Sequence, residues 1–204
     1  MCFKDLLSSC FYRLFGCIFL LLFIAGCNSG FTPKPRGYFA IDFPKHDYQS
    51  FSQPGYPYEF EYPVYAKVIK DTTFFESKPE NDWWINIDFP QFNGKVYISY
   101  KSLASNDFSK MVNDAYNLTF KHSYKASSID DSAINTPNQV HGVMFKVGGN
   151  AATATQFYLS DSVKHFLRGA LYFDAAPNED SLKPVNAFLL EDLQHMVNTF
   201  KWKQ

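Results

Sequence analysis

A chain of 204 residues with 19 Lys and Arg against 20 Asp and Glu carries a formal net charge of −1. The two signs alternate along its length, so no basic stripe points to nucleic acid and no acidic tail is present. Aromatic residues make up 19% of the chain, mostly Phe and Tyr, and these suit pleated, half-buried surfaces, so sheet-rich structure is expected.

The chain opens with Lys4 and Arg13 ahead of an apolar run from Leu14 to Gly26. A basic start, a short apolar core and small residues before a cleavage point mark an export signal. A membrane-spanning helix needs about 18 or more apolar residues, and this run is shorter. Its end, Ile24-Ala25-Gly26-Cys27, resembles a bacterial lipobox. That motif implies cleavage before Cys27, a diacylglyceryl thioether on its sulfur and usually a fatty acid on the new amino group. Buried acyl chain contributes about 0.8 kcal/mol per CH₂, so two or three chains anchor stably. The expected organisation is a lipoprotein signal peptide over 1–26, a lipid-anchored tether over 27–36 and a single globular domain over 37–204. Cys2, Cys10 and Cys17 fall in the signal. The mature chain keeps Cys27 alone, with no disulfide and no thiolate metal site. The tether holds Pro33 and Pro35, which favour extended backbone. Its Lys34 and Arg36 serve a plain linker or rest against lipid headgroups. No acidic run follows Cys27, which favours the periplasmic face of the envelope.

Tyr38 to Phe43 alternates before Pro44 and reads as a strand. The stretch from Lys45 to Pro63 is dense in Pro, Tyr and Phe and excludes long helices. Tyr58 to Tyr62 alternates cleanly, with Pro63 ending it or making it an edge, and Val64 to Ile69 forms a further strand. Aromatics from Tyr48 to Tyr65 cover the sheet's core or, alternatively, form a contact patch. Trp83 and Trp84 would point to opposite faces of a strand, leaving at most one in the core. Ile85 to Phe89 and Val96 to Lys101 alternate around Asn93-Gly94, whose tolerance of positive φ makes a hairpin. A helix follows, capped by Ser105 or Asn106 with Asp107 in its first turn. Phe108, Met111, Val112, Ala115 and Leu118 recur at helical spacing. Residues 125–138 read as a polar loop. Runs at 140–147, 151–159 and 164–173 form an antiparallel meander turning at Gly148-Gly149-Asn150 and at Ser160-Asp161-Ser162. After a loop over 175–183, Pro184 stands where a last helix starts, with Val185, Phe188, Leu189, Leu193, Met196, Val197 and Phe200 on one apolar face. The fold class is α+β, a mostly antiparallel twisted sheet covered by two helices. A meander closed by a C-terminal helix also resembles the PsbP/Mog1-type sandwich.

The chemical inventory is quiet. His46, His122, His141, His165 and His195 include no two at helical ligand spacing, so a metal site would need assembly from distant strands. No Gly-x-Ser-x-Gly elbow occurs, and Gly148-Gly149 lacks the context of a phosphate loop. Asp174, Glu179, Asp180, Glu191 and Asp192 cluster in sequence and are either paired acid/base carboxylates or a solvated loop and helix start. Arg168 and Asp174 are expected to form a structural ion pair. No catalytic residue, cofactor or metal is expected.

Several stretches together resemble one family. They are Pro33 to Phe39 with Ile41-Asp42-Phe43-Pro44, Glu61 to Ala66, Trp84 to Ile87 through Phe89-Pro90, Gly94 to Tyr100, Asp161 to Phe173, and Pro177 to Val185. Their order and spacing resemble the gliding motility lipoprotein GldD family of Bacteroidetes over nearly all of the mature chain. The resemblance implies a lipid-anchored envelope protein required for gliding, set in the outer membrane and facing the periplasm. It also implies partnership with other gliding lipoproteins and type IX secretion components, and it brings no catalytic residues. The leading expectation is a non-catalytic scaffold of that apparatus. The alternatives are a periplasmic binding module for a cell-wall glycan or peptide, and an envelope-polymer hydrolase. Asp71-Thr72, Asp131-Ser132, Asp161-Ser162 and Asp180-Ser181 resemble the O-glycosylation signal of Bacteroidetes envelope proteins, with Thr72, Ser132, Ser162 and Ser181 as acceptors and Ser132 foremost; Asp-Ser is also ordinary turn chemistry.

Overall fold

The computed structural model describes residues 40–72 and 79–203. Cys27, the signal over 1–26 and the tether lie outside the described residues, as do Tyr38 and Phe39 of the first expected strand.

Ten strands and two α-helices form among the described residues. In chain order they are β1 (Tyr48–Phe51), β2 (Tyr58–Pro63), β3 (Lys67–Lys70), β4 (Ile85–Phe89), β5 (Gly94–Ser102), α1 (Phe108–Phe120), β6 (Ala126–Asn135), β7 (His141–Gly149), β8 (Thr153–Ser160), β9 (His165–Phe173), α2 (Glu179–Thr199) and β10 (Lys201–Trp202). All pairings are antiparallel. A seven-stranded sheet runs β3-β4-β5-β9-β8-β7-β6, and a three-stranded sheet runs β1-β2-β10. The architecture is α+β, as the order of sequence patterns implies.

Alternation decides what each face of the large sheet buries, because successive strand residues point to opposite sides. Ile85, Ile87 and Phe89 of β4, Val96 and Ile98 of β5, Phe157 and Leu159 of β8, and Leu167 and Leu171 of β9 share one core with Leu189, Leu193 and Met196 of α2 and with Phe51, Tyr58 and Phe60 of the small sheet. On the other face, Phe145, Tyr158 and Phe166 pack against Met111 and Ala115 of α1. The helices therefore lie on opposite faces. Gly169 sits under the ring of Phe157, where an added Cβ would come within 2.1 Å of it. Only a residue without a side chain leaves that ring room.

The hairpin at Asn93 forms as its sequence dictates, with Asn93 at φ 47° after a short 3₁₀ turn over Pro90–Phe92. The Pro/Tyr-rich stretch is largely core: Phe51, Tyr58 and Phe60 are buried and their rings stack. Trp84 is buried and Trp83 half-buried, and their indole N–H groups donate to the carbonyls of Tyr100 and Gly55 at 2.8 and 2.7 Å.

Four expectations are corrected. Residues 40–43 form no strand. Phe43 instead stacks on Phe188 of α2, with ring centroids 4.5 Å apart, and Gln91 Nε2 donates to the Asp42 carbonyl, so side chains fix this segment. The polar loop expected over 125–138 is largely β6, an edge strand held through its backbone to β7. Being an edge with both faces largely in water, it has no need of apolar alternation, and Asp130 and Asp131 discourage a further strand from pairing there. The cap of α1 is Asp107 itself, whose carboxylate accepts the Lys110 N–H at 2.7 Å. The last helix starts at Glu179, because Asn178 accepts the Ser181 N–H at 3.0 Å and Glu179 and Asp180 suit the positive end of the helix dipole. Pro184 then falls in the second turn and gives up one backbone hydrogen bond.

Candidate functional site

Two places gather polar groups inside apolar surroundings. The first is on the inner side of α2. Asp192 is 1% exposed, and its Oδ1 meets His46 Nδ1 at 2.7 Å and accepts the Tyr48 hydroxyl at 3.0 Å. Its Oδ2 accepts the Tyr65 hydroxyl. His46 also reaches Glu191 at 3.3 Å. Tyr48 stacks on His195, which meets Glu61 at 2.7 Å. Burial, followed by the hydrogen bond to Asp192, pushes the Tyr48 hydroxyl up to about 12; the same causes in the same order raise Tyr65. This knot ties the segment before β1, β1 itself and the turn after β2 onto α2. Both carboxylate oxygens are engaged, so no oxygen stands ready for substrate.

Of the clustered carboxylates, Asp180 and Asp192 do not converge along α2. Asp180 and Asp192 are twelve residues apart on one helix, about 18 Å at about 1.5 Å per residue. Acid/base pairs in glycoside hydrolysis stand about 5–9.5 Å apart. The other histidines disperse: His141 meets Asn135 at 2.5 Å, His165 meets Tyr100 at 2.6 Å, and His122 follows α1. No cluster of three or more His, Cys, Asp or Glu able to hold a metal ion occurs among the described residues.

The Asp-Ser/Thr positions fall in ordered surroundings. Thr72 is exposed beside buried Asp71 at the end of β3. Ser132 is exposed on β6, its hydroxyl donating to the Met144 carbonyl at 3.3 Å. Ser162, exposed with φ 62°, sits in the β8–β9 turn. There Asp161 Oδ1 accepts the N–H groups of Val163, Lys164 and His165 at 3.0, 2.8 and 2.9 Å. Ser181 lies in the first turn of α2.

The second place was not legible as a site in the sequence. A cavity of about 810 Å³ lies between α1 and the large sheet, with Met111, Ala115 and Leu118 on its helix side and Ser99, Phe166 and Arg168 on its sheet side. Register explains the sheet side: Ser99 of β5 stands opposite Arg168 of β9, and Lys101 opposite Phe166. Arg168 is not paired with Asp174. Its guanidinium donates to Gln156 Oε1 and interacts with Tyr172, both neutral partners, and no carboxylate pairs with it among the described residues. Burial pulls the guanidinium below its ordinary value, against Tyr172, which favours the charge. Gln156 is 1% exposed; its Oε1 also accepts the Thr119 hydroxyl at 3.3 Å, while its Nε2 has no partner. Burial and then the Arg168 charge depress His122 nearby. At the rim, Lys101 pairs with Glu80 at 2.6 Å, and Lys121 and Asp114 complete the lining charges. Of the lining, Leu118 and Phe120 are 39% and 50% exposed, and Tyr124 just after α1 is 79% exposed.

Among solved structures, the chain is similar to the solution structure of cyanobacterial PsbP (CyanoP) from Synechocystis sp. PCC 6803. The two share 13% identity with a TM-score of 0.47, over 83% of this chain and 100% of that one. No curated protein matches the chain. Among the described residues no helix is long and apolar enough to cross a membrane. The family model described as gliding motility lipoprotein GldD matches residues 28–202, nearly all of the chain beyond the expected signal, and the chain belongs to that family.

Proposed function

We propose that this gliding motility lipoprotein is a non-catalytic scaffold that helps assemble the gliding and type IX secretion apparatus. In this reading the signal over 1–26 is removed, Cys27 is lipidated, and residues 37–204 form one globular domain. The lipid holds that domain on the outer membrane, facing the periplasm. Its partners are other gliding lipoproteins and type IX secretion components.

The observation that carries this reading is the exposed apolar end of α1. Phe120 and Tyr124, 50% and 79% exposed, are the most exposed aromatics among the described residues, and Leu118 on the same helix as Phe120 is 39% exposed. Grouped apolar side chains at a surface mark contact sites, and aromatic residues dominate the energetics of interfaces. A photo-crosslinking amino acid at Tyr124 in living cells, followed by mass spectrometry, is expected to capture gliding or secretion subunits. Recovery of cell-wall material alone would count against it, and so would full gliding in a Phe120→Ser/Tyr124→Ser double variant made at normal level.

The binding-module reading keeps one supporting observation. Tyr97 and Tyr172 stand side by side on the face of β5 and β9, centroids 5.8 Å apart, with Lys95 over the Tyr97 ring. Such a pair suits a sugar face. Retention of the protein on purified peptidoglycan, lost with Tyr97→Ala, would favour that reading instead.

A further inference from the structure

Both carboxylate oxygens of Asp192 already hold hydrogen bonds, whereas the cavity beside α1 holds an unmet demand. Arg168 presents a positive charge in apolar surroundings with only neutral partners. Just behind it, the buried Nε2 of Gln156 donates to nothing. Arg168 is half-buried, and a cation partly stripped of water without a counter-charge carries a desolvation cost. That cost falls if an anionic oxygen sits on the guanidinium, since a carboxylate matches the planar fork of Arg bidentately.

The rest of the cavity restricts what can carry that oxygen. Its volume of about 810 Å³ lies within the range of small-molecule sites, about 300–1,000 Å³. Met111, Ala115, Leu118 and Phe166 line it with hydrocarbon and aromatic surface. Its walls offer little free backbone. β9 is bonded along both edges, β5 is bonded to β9 throughout and to β4 as far as Ile98, and α1 uses its N–H and C=O groups internally. A peptide threaded there would leave its own amides unpaired. A hydrocarbon chain with one charged end has no such need.

We propose that the cavity between α1 and the large sheet binds a long-chain monocarboxylate, its chain along Met111, Leu118 and Phe166 and its carboxylate on Arg168. Lys121 at the rim adds to the attraction and Asp114 opposes it. This site shares Leu118 and Phe120 with the end of α1 on which the scaffold reading rests, but laurate uptake is read on the protein with no partner present, so the two readings fail separately.

The test uses the full-length protein in phosphatidylcholine nanodiscs, titrated with laurate ¹³C-labelled at the carboxyl, with protein-free nanodiscs as the blank. One saturable, protein-dependent equivalent with a shifted carboxyl resonance is expected, and dodecanol should compete at least tenfold more weakly. Arg168→Met is expected to cut laurate affinity at least tenfold and erase the preference over dodecanol. Its thermal midpoint should not fall, because the variant relieves an unpaired cation. Leu118→Trp fills the cavity from a half-exposed position and leaves Arg168 in place; it should abolish uptake, and it serves as the decisive variant if Arg168→Met does not fold. Absence of a saturable equivalent would overturn the assignment. So would equal competition by dodecanol, retained preference in Arg168→Met, unchanged uptake by Leu118→Trp, or displacement of laurate by a hydrophobic peptide at lower concentration.

Discussion

The carboxylate of Asp161 closes the β8–β9 turn by accepting three successive backbone N–H groups. Burial by itself would raise this carboxyl. The bonds from His165, Lys164 and Val163, helped by the His165 charge, outweigh that and hold it below its ordinary value. A depressed carboxyl contributes stability that is full above its unfolded pKa and is lost as pH falls through the folded one. Asp161→Asn keeps the shape but offers a neutral acceptor. It is expected to cost about 1–2 kcal/mol at pH 7, at the lower end for bonds to a charged group, with the gap to the native protein narrowing below about pH 4, near the ordinary Asp value. Urea unfolding at pH 7 and pH 3 checks this; a gap of equal size at both would refute it. In sequence, Asp161-Ser162 reads as a turn and as a modification signal at once. The turn chemistry is on display here, and Ser162 remains exposed beside it.

At the scale of single elements, legibility followed the size of the apolar signal. Strands β2, β4 and β5 alternate over buried positions, β7 to β9 are continuous strand-like runs with buried positions on both faces, and all could be read directly, as could both helices from their 3.6-residue periodicity. Three features escaped for definite reasons. β6 has only Ala126, Ile129 and Ile134 half-buried in an otherwise exposed strand, so its pattern resembles a loop. Residues 40–43 alternate but are held by Phe43, Phe188 and Gln91, partners that lie far along the chain. The start of α2 turned on Asn178, which a reader drawn to Pro184 passes over. The cap of α1 allows a direct test, since Asp107 is exposed and its recorded side-chain bond goes to the Lys110 N–H. Asp107→Ala should cost about 1 kcal/mol and speed amide exchange in the first turn of α1 while leaving α2 unchanged. Uniform acceleration across both helices would show that the residue acts on the whole fold. The candidate cavity was less legible than any strand, because Arg168 and Ser99 come together only through the β5–β9 register.

Across the whole molecule, the two sheets are tied at the C-terminus. β10 is two residues long, yet Lys201 and Trp202 pair with Glu59 and Tyr58 of β2, and the Lys203 N–H donates to the Pro57 carbonyl at 2.9 Å. Trp202 then reaches from the small sheet to the large one. Its ring stacks on His165 of β9 with centroids 4.9 Å apart and meets Phe200 edge-on at 4.7 Å. Burial holds the His165 imidazole below its ordinary value, against the opposing pull of Asp161. The indole is part of that cover. Trp202→Ala is therefore expected to do two things together. It should lower stability by about 2–3 kcal/mol, less than the 3–5 kcal/mol of a fully buried Trp because this ring is only half-buried. It should also move the His165 pKa upward, toward its ordinary value, in an NMR titration, as water reaches the exposed ring face and desolvation weakens. If Trp202 joins the sheets into one cooperative unit, Tyr58 and Trp84 report separate midpoints in the variant. A single transition at lower denaturant would mean that the small sheet is held mainly by α2 through Asp192 and His195. An unmoved His165 titration would mean that β9 and β5 bury the ring without help from the C-terminus.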